Sequence, residues 1–287
     1  MFDRWRRAAR NRLRGLVRQV VEESDAAFRA EVGGLAEAAR REAEATRHLV
    51  QRVVESTDAM RADVAATRRA LEEGEQRRRR DLALALDRWA TETTAEFVAR
   101  EMPAARMCDH PHDTLRWALA QAPPDGLALE FGVWEGTTLG IIAPTRPRGT
   151  VFGFDSFEGL PETWRTGFEA GMFTADGLPN VPGAELVVGL FEDTLDDWAA
   201  AHPEAIAFLH LDADLYSSTK TVLDTIGDRL VEGSIVVFDE YFNYPGWPDH
   251  EHKAWTEFVE RSGTAFTYEA YTRDDEQVVV RITKPGS

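Results

Sequence analysis

One cysteine, Cys108, occurs in 287 residues, so neither an internal disulfide nor a cysteine-built metal site is available. So little cysteine suits a reducing compartment. No run of 18 or more apolar residues exists, and a transmembrane helix is therefore not expected. The N-terminus lacks the continuous apolar stretch of a secretory signal, its arginines being spread throughout. The expected location is the cytoplasm, with a peripheral position at the inner face of the membrane as an option for the basic N-terminus. Lysine is absent from residues 1–100, and proline from residues 25–100. Basic residues are scarce in the remainder: residues 101–287 hold 12 Lys plus Arg against 32 acids, whereas residues 1–100 hold 21 Arg against 18 acids. Net charges of about −20 and +3 mark two different objects. An acidic body of this kind argues against a nucleic-acid partner, because a phosphate backbone requires a basic footprint.

The present residues divide the chain into three parts. In residues 1–22, Phe2, Trp5, Ala9, Leu13, Leu16 and Val20 recur at intervals of three and four, which predicts an amphipathic helix. Seven arginines from Arg4 to Arg18 fill much of the other face. Such a helix can lie on an anionic membrane surface or pack on a partner. Residues 23–100 read as a helical, coiled-coil-like arm with a sparse stripe of Val32, Leu35, Ala39, Leu49, Val53, Met60, Val64 and Leu71. Its spacing drifts between heptads and elevens, Leu49, Met60 and Leu71 being eleven apart. The seam is rich in Ala and poor in Leu, which predicts a weak coiled coil joining copies of the chain, or a long solvated helix. The Arg77–Arg80 run reads as a solvated face, with phosphate or anionic-lipid binding as the alternative.

Near Met102-Pro103 the pattern changes, and residues 101–287 form the third part. Short β-branched runs at 127–131, 151–154, 185–188, 206–211 and 234–238 alternate with helical segments at 137–144, 194–201, 217–228 and 252–261. That alternation predicts a doubly wound, mostly parallel α/β sheet. Residues 265–268 and 277–282 have no helix between them and read as an antiparallel pair at its edge, giving seven strands.

Leu127 to Thr138 reads as a buried strand, a glycine turn and a helix start. Gly132 and Gly136 leave room for backbone N–H groups to approach a ligand. Glu130 stands where the dinucleotide fingerprint has its first glycine. An acid there suits a cationic sulfonium cofactor with an amino-acid tail and would repel a diphosphate. The next strand ends in Asp155, roughly 20 residues after the turn, where a carboxylate can accept hydrogen bonds from both ribose hydroxyls.

Four segments in order carry a family resemblance: Leu129-Glu130-Phe131-Gly132-Val133-Trp134-Glu135-Gly136, Asp155-Ser156-Phe157-Glu158-Gly159-Leu160-Pro161, Gly189-Leu190-Phe191-Glu192-Asp193-Thr194-Leu195 and Asp212-Ala213-Asp214-Leu215-Tyr216-Ser217-Ser218-Thr219. Over residues 105–285 the chain resembles the macrocin O-methyltransferase family, which methylates sugar hydroxyls of macrolide antibiotics. The resemblance implies the class I methyltransferase (Rossmann-like) fold and S-adenosyl-L-methionine as cofactor. It places Gly132, Trp134 and Thr138 on the methionine and ribose side, Asp155, Ser156 and Phe157 at ribose and adenine, and Phe191 and Glu192 beside the adenine. It does not reach the first hundred residues.

Methyl transfer from a sulfonium is an in-line displacement, so the protein must align the acceptor and remove its proton. Carboxylates cluster after two consecutive strands, at His210-Leu211-Asp212-Ala213-Asp214 and Phe238-Asp239-Glu240-Tyr241. Both should lie at the carboxyl edge of the sheet beside the cofactor crevice. Asp212 is the candidate catalytic residue, and Asp212, Asp239 and Glu240 are candidate Mg²⁺ ligands. Related sugar O-methyltransferases hold a metal with an Asp after strand four and an Asp-Asp pair after strand five; here Glu240 takes the second place of that pair. Asp214 reads equally as a helix cap, and His210 as a satisfied core histidine. His250 and His252 lie within reach of an acceptor or merely at a helix start. Thr163–Pro182 reads equally as a closing lid or a packed surface loop, and the aromatic run Tyr241–Trp247 as a sugar-stacking loop or as hydrophobic packing. A glycosyltransferase using Asp212-x-Asp214 to bind metal and a nucleotide sugar is the rival reading, although it leaves Glu130–Gly136 and Asp155 unexplained. A non-catalytic scaffold carrying a degenerate cofactor-binding domain is the second rival.

Overall fold

The computed structural model describes residues 2–286. Helix α1 runs without interruption from Phe2 to Arg78, 77 residues with no buried side chain. Proline is absent from it, and pairs one turn apart reinforce its surface, such as Arg68 with Glu72 at 2.9 Å and Gln19 with Glu23 at 2.9 Å. No boundary falls near residue 22, so the basic amphipathic segment and the arm are one helix. Among the described residues no helix is long and apolar enough to cross a membrane.

The chain divides into two compact units, residues 1–80 and 81–287. This boundary lies about twenty residues before the change of pattern at Met102-Pro103. The reason is helix α2 (Leu82–Glu101), started by Asp81, whose carboxylate accepts from the Leu84 N–H at 3.2 Å. It buries Ala90, Thr94 and Phe97, and Thr94 Oγ1 accepts from the Asn243 N–H at 2.9 Å. Those contacts make it part of the α/β unit.

That unit holds β1 (Arg106–Cys108), α3 (Pro111–Gln121), β2 (Leu127–Phe131), α4 (Thr137–Ile142), β3 (Val151–Asp155) and β4 (Glu185–Val188). Then follow α5 (Phe191–Ala201), β5 (Ile206–Leu211), α6 (Tyr216–Ile226), β6 (Leu230–Phe238), α7 (Glu251–Ser262), β7 (Ala265–Thr272) and β8 (Val278–Lys284). The sheet order is β1-β7-β8-β6-β5-β2-β3-β4. Every pair is parallel except the two that β8 makes with β6 and β7. Leaving out β1, this is the class I methyltransferase arrangement. The expected seven strands are eight, because Arg106–Cys108 adds a short parallel strand beside β7. Three residues are too few for alternation to declare them.

All residues of β2 and β5 are buried, as expected of strands covered on both faces. Two apolar clusters fill the two sides of the sheet. Within these strands only Glu130 and His210 are charged or titratable, and they are opposite each other in the β2–β5 register. The chain order reverses between β2 and β5, so the crevice at the carboxyl ends of β2, β3, β5 and β6 is where the sheet is built to bind a ligand.

Candidate active site

The turn after β2 is held by close packing and by one carboxylate. Gly132 has φ +92°, and a Cβ there would stand 1.6 Å from the Asp212 carbonyl oxygen, so only glycine lets this turn lie against the end of β5. Asp155 Oδ2 accepts from the N–H groups of Val133 and Trp134, both at 2.8 Å, and Oδ1 accepts from the Phe157 N–H at 2.7 Å. Trp134 and Phe157 have positive φ, at 46° and 59°, a strain these three bonds offset. Asp155 is thus a strap for the turn, and its Oδ1, which accepts one bond, keeps an acceptor site on the cavity wall. Gly136, with φ +80°, faces Val181 Cγ2, which a Cβ would meet at 2.7 Å. It packs beneath the 179–182 segment.

A cavity of about 660 Å³ opens at the carboxyl edge of the sheet. Of the expected cofactor residues, Gly132, Trp134, Thr138, Asp155, Ser156, Phe191 and Glu192 line it. Glu130, Gly136 and Phe157 are not among its walls. Glu130 is fully buried beneath, where its Oε1 lies 2.8 Å from His210 Nδ1. Phe157 packs in the apolar cluster with Leu139 and Ile142. The wall also contains His112, Ser217, Ser218 and Thr221, none of which the sequence reading singled out as site residues.

Asp212, Asp214 and Glu240 line the same cavity. Asp212, Asp239 and Glu240 each bring one carboxylate oxygen within 4.8 Å of the others, so the longer arm of Glu240 still reaches the cluster. Asp239 is not among the cavity walls; Gln277 donates to its Oδ1 at 3.1 Å, and His210 Nε2 lies 3.6 Å from the same oxygen. Burial, then the Asp239 charge, pushes Asp212 and Glu240 well above the usual carboxylate range. The same two causes bring Asp214 up to about 7. Asp239 is held low by His210 although burial opposes this. Behind the cluster Glu251 accepts from Thr219 Oγ1 and from the Glu240 N–H, both at 3.1 Å, and burial raises it to about 8. Glu240 Oε2 is buried with no hydrogen-bond partner among the described residues. An all-oxygen donor set with an unpartnered buried oxygen and surplus negative charge fits a hard divalent cation.

Two readings that the residues left open are narrowed. Tyr241, Phe242, Tyr244 and Trp247 are buried at 5 % exposure or less, so this loop packs the core and offers no ring to a sugar. His250 and His252 are not among the cavity walls. Their rings pack on Trp164 and Tyr244, and on Phe97, Tyr241 and Trp247, and burial lowers both pKa values. The 163–182 segment supplies Phe173 to the cavity, its ring edge-on to Trp134 at 5.6 Å. Arg165 anchors that segment through two bonds to Glu276, at 3.0 and 3.1 Å.

Residues 129–241 match the family model described as "Methyltransferase domain", a stretch that includes both the turn after β2 and the acids after β5 and β6. The matched stretch is 113 of the 287 residues, and the strand order of the α/β unit is that of the class I methyltransferase fold. The chain is 29 % identical over 169 residues to the 8-demethyl-8-(2,3-dimethoxy-alpha-L-rhamnosyl)-tetracenomycin-C 4'-O-methyltransferase of Streptomyces olivaceus, covering 50 % of this chain and 63 % of that protein. It therefore spans less than two thirds of that relative. Similar solved structures include the calicheamicin methyltransferase CalS11, at 24 % identity, TM-score 0.47, and coverage of 70 % of this chain and 93 % of that one. The O-methyltransferase NovP is similar at 23 % identity, TM-score 0.46, with 60 % and 79 % covered. The family match favours neither the glycosyltransferase reading of Asp212-Ala213-Asp214 nor the non-catalytic scaffold.

Proposed function

We propose that the α/β unit transfers a methyl group from S-adenosyl-L-methionine to a hydroxyl oxygen of a sugar on a natural product or glycan, with Mg²⁺ assistance. The observation that carries this reading is the shared cavity: its walls run from the Asp155-strapped turn to Asp212, Asp214 and Glu240. Donor and acceptor can thus meet in one shared cavity. S-adenosyl-L-methionine supplies an electrophilic methyl group with its leaving group in place. Trp134 and Thr138 face its methionine end, and Ser156, Phe191 and Glu192 its nucleoside end.

A neutral hydroxyl is a weak nucleophile, so the chain's task is alignment and proton removal. Asp212, Asp239 and Glu240 would hold Mg²⁺, which lowers the proton affinity of a coordinated hydroxyl. The unpartnered Glu240 Oε2 supports that assignment. Asp214, on the cavity wall, takes the hydroxyl proton at a carboxylate oxygen. This moves the base from Asp212, the residue the sequence favoured, to its neighbour two positions on: Asp212 belongs to the ligand cluster. A sugar acceptor is supported by the Streptomyces olivaceus relative, whose name gives 4'-O-methylation of a rhamnosyl-bearing tetracenomycin C.

The test combines binding and turnover. S-adenosylhomocysteine should raise the melting temperature, and labelled methyl should pass from the cofactor to rhamnosyl glycosides in the presence of Mg²⁺. No stabilisation by S-adenosylhomocysteine, with stabilisation by UDP and Mn²⁺ in its place, sinks the reading.

A further inference from the structure

The 77 residues of α1 are seven elevens. Starting at Trp5, every eleventh residue is apolar: Leu16, Ala27, Ala38, Leu49, Met60 and Leu71. Because the helix is unbroken through Gly15, Gly33 and Gly34, one phase holds along its whole length, and the apparent drift between sevens and elevens resolves into elevens. At about 100° per residue, eleven residues make three turns plus about 20°. The row therefore winds slowly in a right-handed sense and stays on one side of a rod about 115 Å long. Neighbouring columns widen it into a seam, with Phe2, Leu13 and Leu35 three residues before the row, Val17, Phe28 and Val50 one after it, and Val20, Val53 and Val64 four after it. This seam lies open: Trp5 is 76 % exposed, Leu49 63 % and Leu71 69 %.

We propose that α1 is an assembly rod, its eleven-residue seam packing against the same seam of a second copy in a nearly straight pair with shallow right-handed twist. This inference does not depend on the methyl-transfer reading. A strip about 115 Å long and roughly 8 Å wide amounts to about 900 Å² on each copy, the scale of a standard specific interface. Charge decides between a second copy and a lipid surface. Residues 2–18 carry seven arginines against Asp3 alone, but residues 19–78 carry 13 acids against 10 arginines. The charged interruptions within the seam are of both signs: Glu31, Glu42, Glu72 and Glu75, with Arg6, Arg61 and Arg68. A second copy presents both signs to meet them. An anionic bilayer presents one sign, which repels the glutamates, and its apolar interior would strip them of water.

The test uses the full-length chain in sedimentation equilibrium over a wide concentration range. The expected mass is twice 32.2 kDa. Leu49→Ala combined with Met60→Ala, both helix-favouring changes, should weaken self-association about tenfold or more while far-UV circular dichroism is unchanged. Gln51→Asp, on the opposite face, should leave association intact. A monomer at every concentration overturns the proposal, whether or not it binds phosphatidylglycerol vesicles in a parallel flotation assay. Unaltered association of the double variant overturns it as well.

Discussion

His210 Nδ1 lies 2.8 Å from Glu130 Oε1, with both side chains withdrawn from solvent. Each residue stands two positions before the turn that its strand feeds, Gly132 and Asp212, and β2 and β5 run parallel as neighbours in register. The pair is therefore a consequence of topology. With Nε2 3.6 Å from Asp239, one imidazolium stands between the strand that feeds the cofactor turn and the acid cluster. Those two carboxylates raise its pKa well above the usual value against the opposing effect of burial.

Removing this imidazole should be costly. His210→Ala leaves Glu130 buried without its partner and is expected to destabilise the α/β unit by about 3–5 kcal/mol, the scale for breaking a buried pair. The measurement is urea unfolding followed by tryptophan fluorescence. The sign with pH also follows. A group whose folded pKa lies above its unfolded value near 6.5 contributes stability that is complete below pH 6.5 and is lost as pH rises through the folded value. The stability gap between wild type and His210→Gln should therefore narrow as the pH climbs above neutrality.

The acid cluster has the same sign for a different reason. Asp214 and Glu251 are raised by burial to about 7 and about 8, so between pH 4 and 8 the folded state binds more protons than the unfolded chain. Stability in EDTA should fall as the pH rises across that window. Mg²⁺, binding the ionised cluster, should raise the melting temperature more at pH 8 than at pH 5. Equal effects of Mg²⁺ at both pH values would argue against a metal at Asp212, Asp239 and Glu240.

The sheet and the crevice were legible because parallel strands are nearly all apolar and end in turn residues: Leu127–Phe131 and Ile206–Leu211 fall where their patterns put them. The acids at the carboxyl edge were legible for the same reason, since strand ends converge. What sequence could not separate was the use of each acid. Asp155 satisfies the spacing for a ribose ligand, yet three backbone N–H groups donate to its oxygens, a fact fixed by the path of the turn. Glu251 sits at a helix start like any exposed acid, and only the folding of α7 behind β6 buries it. The aromatic run 241–247 was ambiguous because composition is the same for rings facing a ligand and rings facing a core. His210 had a readable signal, its equal offset from its strand end with Glu130 on the adjoining strand.

Asp214 separates binding from chemistry. Asp214→Asn removes the proton acceptor and should lower turnover by about 10²–10⁴-fold while the dissociation constant for S-adenosylhomocysteine changes little. Calorimetric titration beside single-turnover methylation distinguishes the two quantities. If Asp214→Asn keeps its activity and Asp212→Asn alone loses it, the base is Asp212 after all.

Asp155 offers the sharpest contrast between a strap and a ribose ligand. Its three partners all donate, so an amide nitrogen in place of either oxygen meets a donor with a donor. Asp155→Asn can keep the two bonds at Oδ2 through its amide oxygen but sets its NH₂ against the Phe157 N–H, so it should fall between wild type and Asp155→Ala. Each should lower the melting temperature without any ligand present, through the loss of hydrogen bonds to a charged acceptor worth about 1.5–3 kcal/mol each, and weaken S-adenosylhomocysteine by tenfold or more. A carboxylate whose work was confined to ribose hydroxyls would give another result. Hydroxyls both donate and accept, so Asn would recover part of the affinity, and the unliganded protein would melt as wild type does. Scanning calorimetry of the unliganded variants decides between the two, and an unchanged melting temperature would remove the strap from this account.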